Sequence, residues 1–289
     1  MRAVPSITPT STRIHDDGLA IVVHDWGGDG PPTLLAHPTG FHGRCWAPVA
    51  AALVQAGRRV WSLDFRGHGD SDRCPDGYSW HGFADDILTV VDHLGVRGAS
   101  GLLGVGHSKG GAALMLAELR EPGAFSRLWC YEPIIFPSDD EHPPNLDNPM
   151  SKNALKRRAA WTSVDEAIES YSSRPPLDVL RADAMRAYVE YGLRERADGT
   201  FELKCRPEDE AAVFAMGIAH GAYRRLRELQ VPIVVACGEH TNAITPALAE
   251  MLVTRLPHGR VEVLAGLDHF GPMQDPDAVA ASILRFAAE

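Results

Sequence analysis

Residues 101–111 read GLLGVGHSKGG. The apolar run Leu102-Leu103-Gly104-Val105 stops at Gly106-His107-Ser108-Lys109-Gly110, and an Ala/Leu-rich helical pattern over 111–119 starts at once. A G-x-S-x-G pattern between a predicted strand and a predicted helix is the signature of a nucleophile elbow. Its glycines have a physical reason, because so sharp a turn leaves no room for side chains beside Ser108. The turn pushes the Ser108 hydroxyl out at the C-terminal end of the strand and aims the first N–H groups of the helix at whatever sits there. The plain alternative is a Gly-rich strand-to-helix turn that happens to carry an exposed serine.

Outward from this stretch, strands and helices alternate. Asp16-Asp17-Gly18 between β-prone runs at 12–15 and 19–24 predicts a hairpin. Strands are predicted at 33–36, 59–63, 128–131, 233–237 and 260–264, and helices at 46–56, 79–94, 246–256 and 277–288. Phe83, Ile87, Val90, Val91 and Leu94 have helical spacing within the second of these helices. Such alternation predicts an α/β fold, a mostly parallel sheet with helices on both faces. Between 137 and 230 the character changes. A Pro-rich polar linker (137–149) leads into helical patterns at 153–161, 163–172, 181–191 and 208–219, with no clear strand. The expected organisation is a core of 1–136 and 231–289 carrying a helical cap over 137–230. Basic residues gather in the insertion (Lys156, Arg157, Arg158, Arg181, Arg186, Arg194, Arg196), and solvated helix faces are the simplest account of them.

Composition narrows the function classes. The chain has 289 residues, 45% hydrophobic and 23% charged, with a net charge of −10, which disfavours a nucleic-acid partner. Residues 1–10 are rich in Pro, Ser and Thr and are expected to be loose; the N-terminus shows no apolar signal segment, and no stretch approaches a membrane span. Five scattered cysteines (Cys45, Cys74, Cys130, Cys205, Cys237) show no metal spacing and suit buried thiols in a reducing, cytoplasmic setting. No cofactor and no metal site are expected. The expected partner is a small-molecule substrate, with neither nucleic acid nor membrane; a homodimer stays open.

A serine hydroxyl needs a base. Among 13 histidines, His269 stands out. It follows the strand at 260–264 in the loop Gly266-Leu267-Asp268-His269, and in an open α/β sheet that loop lies at the same edge as Ser108. His37, His68 and His107 neighbour the predicted site, and His107 reads as a packed loop residue.

Four stretches in order carry a resemblance to the α/β-hydrolase superfamily over nearly the whole chain. His37-Pro38-Thr39-Gly40 is similar to its oxyanion loop, with Pro38 where Gly is usual. Asp64-x-Arg66-Gly67-x-Gly69-x-Ser71 is similar to its D-x-R-G-x-G-x-S turn, residues 106–111 to its elbow, and His269…Asp275-Pro276 to its histidine loop. The resemblance implies Ser108 as nucleophile, His269 as base, and the backbone N–H groups of Thr39 and Lys109 as oxyanion donors, each worth about 3–4 kcal/mol at the transition state. The Lys109 side chain is expected in a salt bridge at the helix start.

The acid departs from the common pattern. Its usual turn after the strand at 233–237 reads Gly238-Glu239-His240-Thr241-Asn242, with Thr241 at the expected Asp position. Haloalkane dehalogenases and a lactone-cleaving branch place the acid one strand earlier, and here that place reads Cys130-Tyr131-Glu132-Pro133. A carboxylate ending an apolar strand is costly unless paired, and holding His269 in one tautomer supplies the pairing. Glu132 is therefore the expected acid, against a structural salt bridge to the insertion; Glu239 is the fallback, and Asp268 sits too close to His269 in sequence.

The expected activity is hydrolysis of an ester or lactone of a small, largely apolar substrate through an acyl-enzyme. Carbon–carbon bond hydrolysis, or perhydrolase or acyltransferase chemistry with the same triad, are the near alternatives. A ligand-binding, receptor-like protein on a hydrolase scaffold is the alternative of another class, motivated by Thr241. The insertion, with Trp161, Tyr171, Tyr188, Tyr191, Phe214 and Met216 among its apolar residues, is expected to close a mostly apolar pocket, and cap core is the simpler reading of those residues than substrate contact.

Overall fold

The computed structural model describes residues 7–16, 18–138, 143–217 and 219–289. The hairpin forms from β1 (Thr10–Asp16) and β2 (Leu19–Gly27), paired antiparallel from Thr10↔Asp25 to Asp16↔Leu19. Most of the expected loose segment, residues 1–6, and Asp17 of the turn lie outside the described residues. Then follow β3 (Pro32–Ala36), α1 (Ala47–Gln55), β4 (Arg59–Asp64), α2 (Trp80–His93), β5 (Leu103–His107), α3 (Lys109–Arg120) and β6 (Arg127–Tyr131). After the insertion the alternation resumes with β10 (Ile233–Gly238), α9 (Pro246–Val253), β11 (Gly259–Leu264), α10 (Gly271–Gln274) and α11 (Pro276–Ala287).

The eight strands lie in the order β1-β2-β4-β3-β5-β6-β10-β11. Those from β4 to β11 run parallel, and β2 joins β4 antiparallel. Both faces are buried, as near-continuous apolar strands require. One face packs Leu34, Leu63, Leu128, Val235 and Cys237 against α2, α3 and α9. The other packs Leu35, Val105, Trp129 and Val234 against α1 and α11. Helix starts follow capping chemistry: Ser79 accepts from the Gly82 N–H and Asp275 from the Ala278 N–H.

The insertion corrects the all-helical expectation. It contains α4 (Pro149–Leu155), β7 (Ala160–Trp161), α5 (Val164–Ser172), α6 (Ala182–Gly192), β8 (Leu193–Glu195), β9 (Phe201–Leu203), α7 (Pro207–Met216) and α8 (Ala222–Arg225). β7, β9 and β8 form a small antiparallel sheet, and residues 156–161, expected as helix, leave α4 to enter it. Residues 139–142 of the linker, and Ile218 within the expected helix 208–219, lie outside the described residues. A third apolar cluster joins Trp161, Met185, Tyr188 and Leu203 to Phe41 and Met273, so this segment packs on the loops at the C-terminal edge of the sheet. Among the described residues no helix is long and apolar enough to cross a membrane. Four of the five free thiols are buried, and Cys74 is partly exposed.

Candidate active site

Every residue expected at the site follows a parallel strand at one sheet edge: Thr39 after β3, Ser108 and Lys109 after β5, Glu132 after β6 and His269 after β11. Ser108 sits between β5 and α3 with φ 55° and ψ −117°, and Glu132 has φ 45°. These are the two non-glycine residues with positive φ among the described residues. Such backbone costs on the order of 1–3 kcal/mol per residue and persists only where the surroundings enforce it. They do so here. The Ser108 N–H donates to the Tyr131 carbonyl (2.9 Å), the Ile134 N–H to the Ser108 carbonyl (3.3 Å) and the Glu132 N–H to the Ala236 carbonyl (2.8 Å). The elbow glycines are sterically required: a Cβ on Gly106 would lie 2.6 Å from Gly111 Cα, and one on Gly110 would run into the Ala36 carbonyl.

The Glu132 carboxylate is fully buried and saturated with donors. Oε1 accepts from the Gly238 N–H (3.0 Å); Oε2 accepts from the Thr241 hydroxyl (2.7 Å) and from His269 Nδ1 (2.7 Å), with the Ile244 N–H at 3.5 Å. A carboxylate acceptor fixes the His269 proton on Nδ1 and leaves Nε2 as the basic nitrogen. Thr241, at the usual acid position, thus donates to the Glu132 carboxylate. Glu239 is not brought to the imidazole: it is half exposed and accepts from the Gly266 N–H (2.9 Å). Asp268 turns its carboxylate to the Phe270 N–H (2.7 Å).

On the other side of Ser108, the oxyanion loop turns at Pro38, whose carbonyl accepts from the Phe41 N–H (3.3 Å). Among the described residues the N–H groups of Thr39 and Lys109 have no partner within the chain, so both donors are available. Pro38 donates nothing and costs the loop nothing at this point. His37 holds the loop: its Nδ1 donates to the Pro38 carbonyl (2.7 Å), and its Nε2 accepts from the Phe65 N–H (3.1 Å). Burial keeps His37 neutral by pulling it well below the usual histidine range. His107 is buried with its ring 5.0 Å from that of His269 and is likewise depressed by burial, in keeping with a packing role.

The Lys109 side chain corrects an expectation, because it makes no salt bridge among the described residues. It is buried, with Nζ 3.4 Å from His68 Nε2 and 4.3 Å and 4.6 Å from the Phe65 and Phe83 ring centroids. His68 Nδ1 donates to the Arg66 carbonyl (3.0 Å), so Nε2 is the acceptor. Burial lowers the amine from 10.5 to about 7. The D-x-R-G-x-G-x-S turn is scaffolding: Asp64 accepts from the Gly43 and Asp70 N–H groups (2.6 and 2.8 Å), and Arg66 pairs with buried Asp86 (2.7 Å).

Ser108 and His269 both line a cavity of about 610 Å3, with Thr39 at its wall. Phe41, Leu177, Phe214 and Phe270 give it apolar surface, and Trp161, Tyr171 and Tyr188 of the insertion, read more simply as cap core, line it as well. Sequence reasoning missed Arg157 and Glu210. Arg157, assigned to a solvated face, is instead largely buried, paired with Glu210 and donating to the hydroxyls of Tyr171 (3.1 Å) and Tyr188 (2.5 Å). The pair lies against Gly40, where a Cβ would strike the Glu210 carboxylate. Among the described residues no group of three or more His, Cys, Asp or Glu side chains is placed to hold a metal ion.

This sheet order, elbow and strand-end arrangement are those of an α/β hydrolase. A model of the alpha/beta hydrolase family matches residues 33–282, and the chain belongs to that family. Among its relatives, a non-heme haloperoxidase of Rhodococcus erythropolis is 28% identical over 276 residues, covering 93% of this chain and 96% of the relative. A bifunctional esterase/perhydrolase of Acinetobacter calcoaceticus is 24% identical over 283 residues, with the same coverage. The crystal structure of an E-2-(acetamidomethylene)succinate hydrolase superposes with a TM-score of 0.82 over 97% of this chain and 100% of that one, at 21% identity, and shares the fold.

Proposed function

We propose that this α/β hydrolase is a serine hydrolase that cleaves an ester or lactone of a small substrate through an acyl-enzyme. The observation that carries the reading is the strained Ser108 sharing one cavity with a His269 whose Nδ1 is held at 2.7 Å by buried Glu132. In this mechanism His269 Nε2 takes the Ser108 proton as Oγ bonds to the carbonyl carbon. The N–H groups of Thr39 and Lys109 hold the oxyanion. The carbonyl–oxygen bond to the leaving group breaks, and His269 passes its proton to the departing oxygen. Water then gives a proton to Nε2 and adds to the acyl carbon; Ser108 Oγ leaves and recovers that proton. Residues 137–230 act as a cap on a core of 1–136 and 231–289, because the insertion contributes most of the wall opposite Ser108. The buried free thiols agree with a cytoplasmic setting.

The test is intact mass after treatment with a fluorophosphonate. Wild type gains one adduct, Ser108→Ala gains none, and His269→Ala and Glu132→Gln label slowly while keeping wild-type circular dichroism. Removing the acid is expected to lower kcat/KM on an ester by on the order of 10^3–10^4-fold. Absence of labelling with a small probe that enters the cavity overturns the hydrolase reading in favour of a binding protein. Perhydrolysis is the second reading, favoured by the esterase/perhydrolase relative. Added peroxide diverts the acyl group to a peracid under that reading and leaves the product unchanged under simple hydrolysis.

A further inference from the structure

The whole chain carries a net charge of −10, yet the wall of the cavity over Ser108 carries the opposite sign. Four cations line it, Lys156, Arg157, Arg158 and Arg174, against one carboxylate, Glu210. Two of the four are accounted for. Arg157 is paired with Glu210. Arg158 pairs with Glu166 at 2.7 Å and lies 4.1 Å from the Trp161 ring centroid. Lys156 and Arg174 have no carboxylate partner among the described residues; Arg174 donates only to the Ser170 hydroxyl (2.5 Å). They come from different elements, Lys156 at the end of α4 and Arg174 just beyond α5; both are exposed and both line the one cavity that Ser108 lines. Phe41 and Phe270, close in sequence to Thr39 and His269, line the same cavity with their ring centroids 6.0 Å apart.

We propose that the substrate carries a carboxylate at the end remote from its scissile carbonyl, and that Lys156 and Arg174 recognise it. A small acid is attracted to a wall of this polarity, and a carboxylate forms stronger charge-assisted hydrogen bonds with Lys and Arg than a neutral ester carbonyl does. The apolar side chains of Phe41, Leu177, Phe214 and Phe270 in the same cavity suit the linking carbons of a dicarboxylic acid half-ester. Arg157, closer to the oxyanion loop, has its charge met by Glu210 and shapes the wall rather than binding the acid. This inference rests on the hydrolase reading only for where the scissile bond lies.

The experiment compares mono-4-nitrophenyl glutarate with its methyl ester, which has the same reacting carbonyl and no charge. The half-ester is expected to show kcat/KM about tenfold higher, a preference that shrinks as ionic strength rises from about 0.02 to about 0.5 M. Lys156→Gln and Arg174→Gln each reduce the ratio of the two kcat/KM values, through KM, and together abolish it. Arg186→Gln, an exposed cation of α6 held by Glu190, leaves the ratio where it is. Equal turnover of the two esters in wild type, or a ratio unmoved by both substitutions, overturns the proposal. A second arm titrates Ser108→Ala protein with monomethyl glutarate and dimethyl glutarate and follows heat of binding. Binding of the acid alone, lost in the Lys156→Gln/Arg174→Gln background, upholds the anion site even if neither nitrophenyl ester is hydrolysed, in which case it is the hydrolase reading that fails. Equal or no binding of the two compounds in this arm overturns the anion site.

Discussion

At the scale of single residues, the least expected group is the Lys109 ammonium. It belongs to the residue after the nucleophile, yet its side chain runs into the core between Phe65 and Phe83 and meets only His68. Burial lowers its pKa to about 7 in the folded protein, against 10.5 for the free side chain. The sign of the linkage follows. Between these values the unfolded chain holds a proton that the folded chain has lost, so stability rises with pH, by up to about 1.4 kcal/mol per unit. Below pH 7 the full penalty is present, and above 10.5 none remains. Lys109→Met is therefore expected to raise Tm more at pH 6 than at pH 9.5. Melting curves of both proteins at the two pH values check this, and a gain independent of pH contradicts a buried titrating amine. Lys109 also shows why the salt-bridge expectation failed: the residue type named a charge, and only the sheet and α2 decided that it would face inward. Glu132 does pair with His269, and that pairing was legible because a carboxylate after an apolar strand has few acceptable fates.

At the scale of elements, the long strands and helices of the core were legible to within three residues at either end, since each is long enough to show its period. The small sheet β7-β9-β8 was not, because strands of two or three residues display no alternation. One signal was nevertheless present: Asp198-Gly199 closes the β8–β9 hairpin, with the Arg196 N–H donating to the Thr200 carbonyl at 2.7 Å. Arg157 lay beyond such reading. It is the middle of a Lys-Arg-Arg run, and the groups that turn it inward are 14, 31 and 53 residues away in Tyr171, Tyr188 and Glu210. That ion pair joins α7 to the segment after α4 against Gly40 of the oxyanion loop, with both side chains largely withdrawn from water. Removing one partner strands the other, which typically costs 3–5 kcal/mol, so Glu210→Gln is expected to lower unfolding free energy by about 3 kcal/mol in urea titrations. Arg157→Met combined with Glu210→Leu is expected to recover most of that loss, because neither charge is then left alone.

At the scale of the whole molecule, the parallel sheet sets the site: four chain segments distant in sequence are delivered to one edge by strands that all end there. Ser108, His269, Thr39 and the backbone of Lys109, which the resemblance implies for the site, lie at that edge because backbone topology alone positions them. The insertion was expected to close a pocket, but the polar side chains it turns to the cavity, Arg157 and Glu210 among them, are governed by no core motif. The meeting of Glu132 with Thr241 has a further consequence. The Thr241 hydroxyl touches the same carboxylate oxygen that His269 touches, so the ends of β6 and β10 converge on a single acidic seat. The seat is thus transferable between strands in principle, without passing through a chain that lacks the fold. Glu132→Ser with Thr241→Asp is expected to regain at least about tenfold of the kcat/KM lost in Glu132→Gln. Kinetics on the same ester for the two variants and for Thr241→Asp alone measure the transfer. Recovery marks the acid's address as a relocatable part of an otherwise fixed machine, the kind of step by which a lineage exchanges one triad layout for the other.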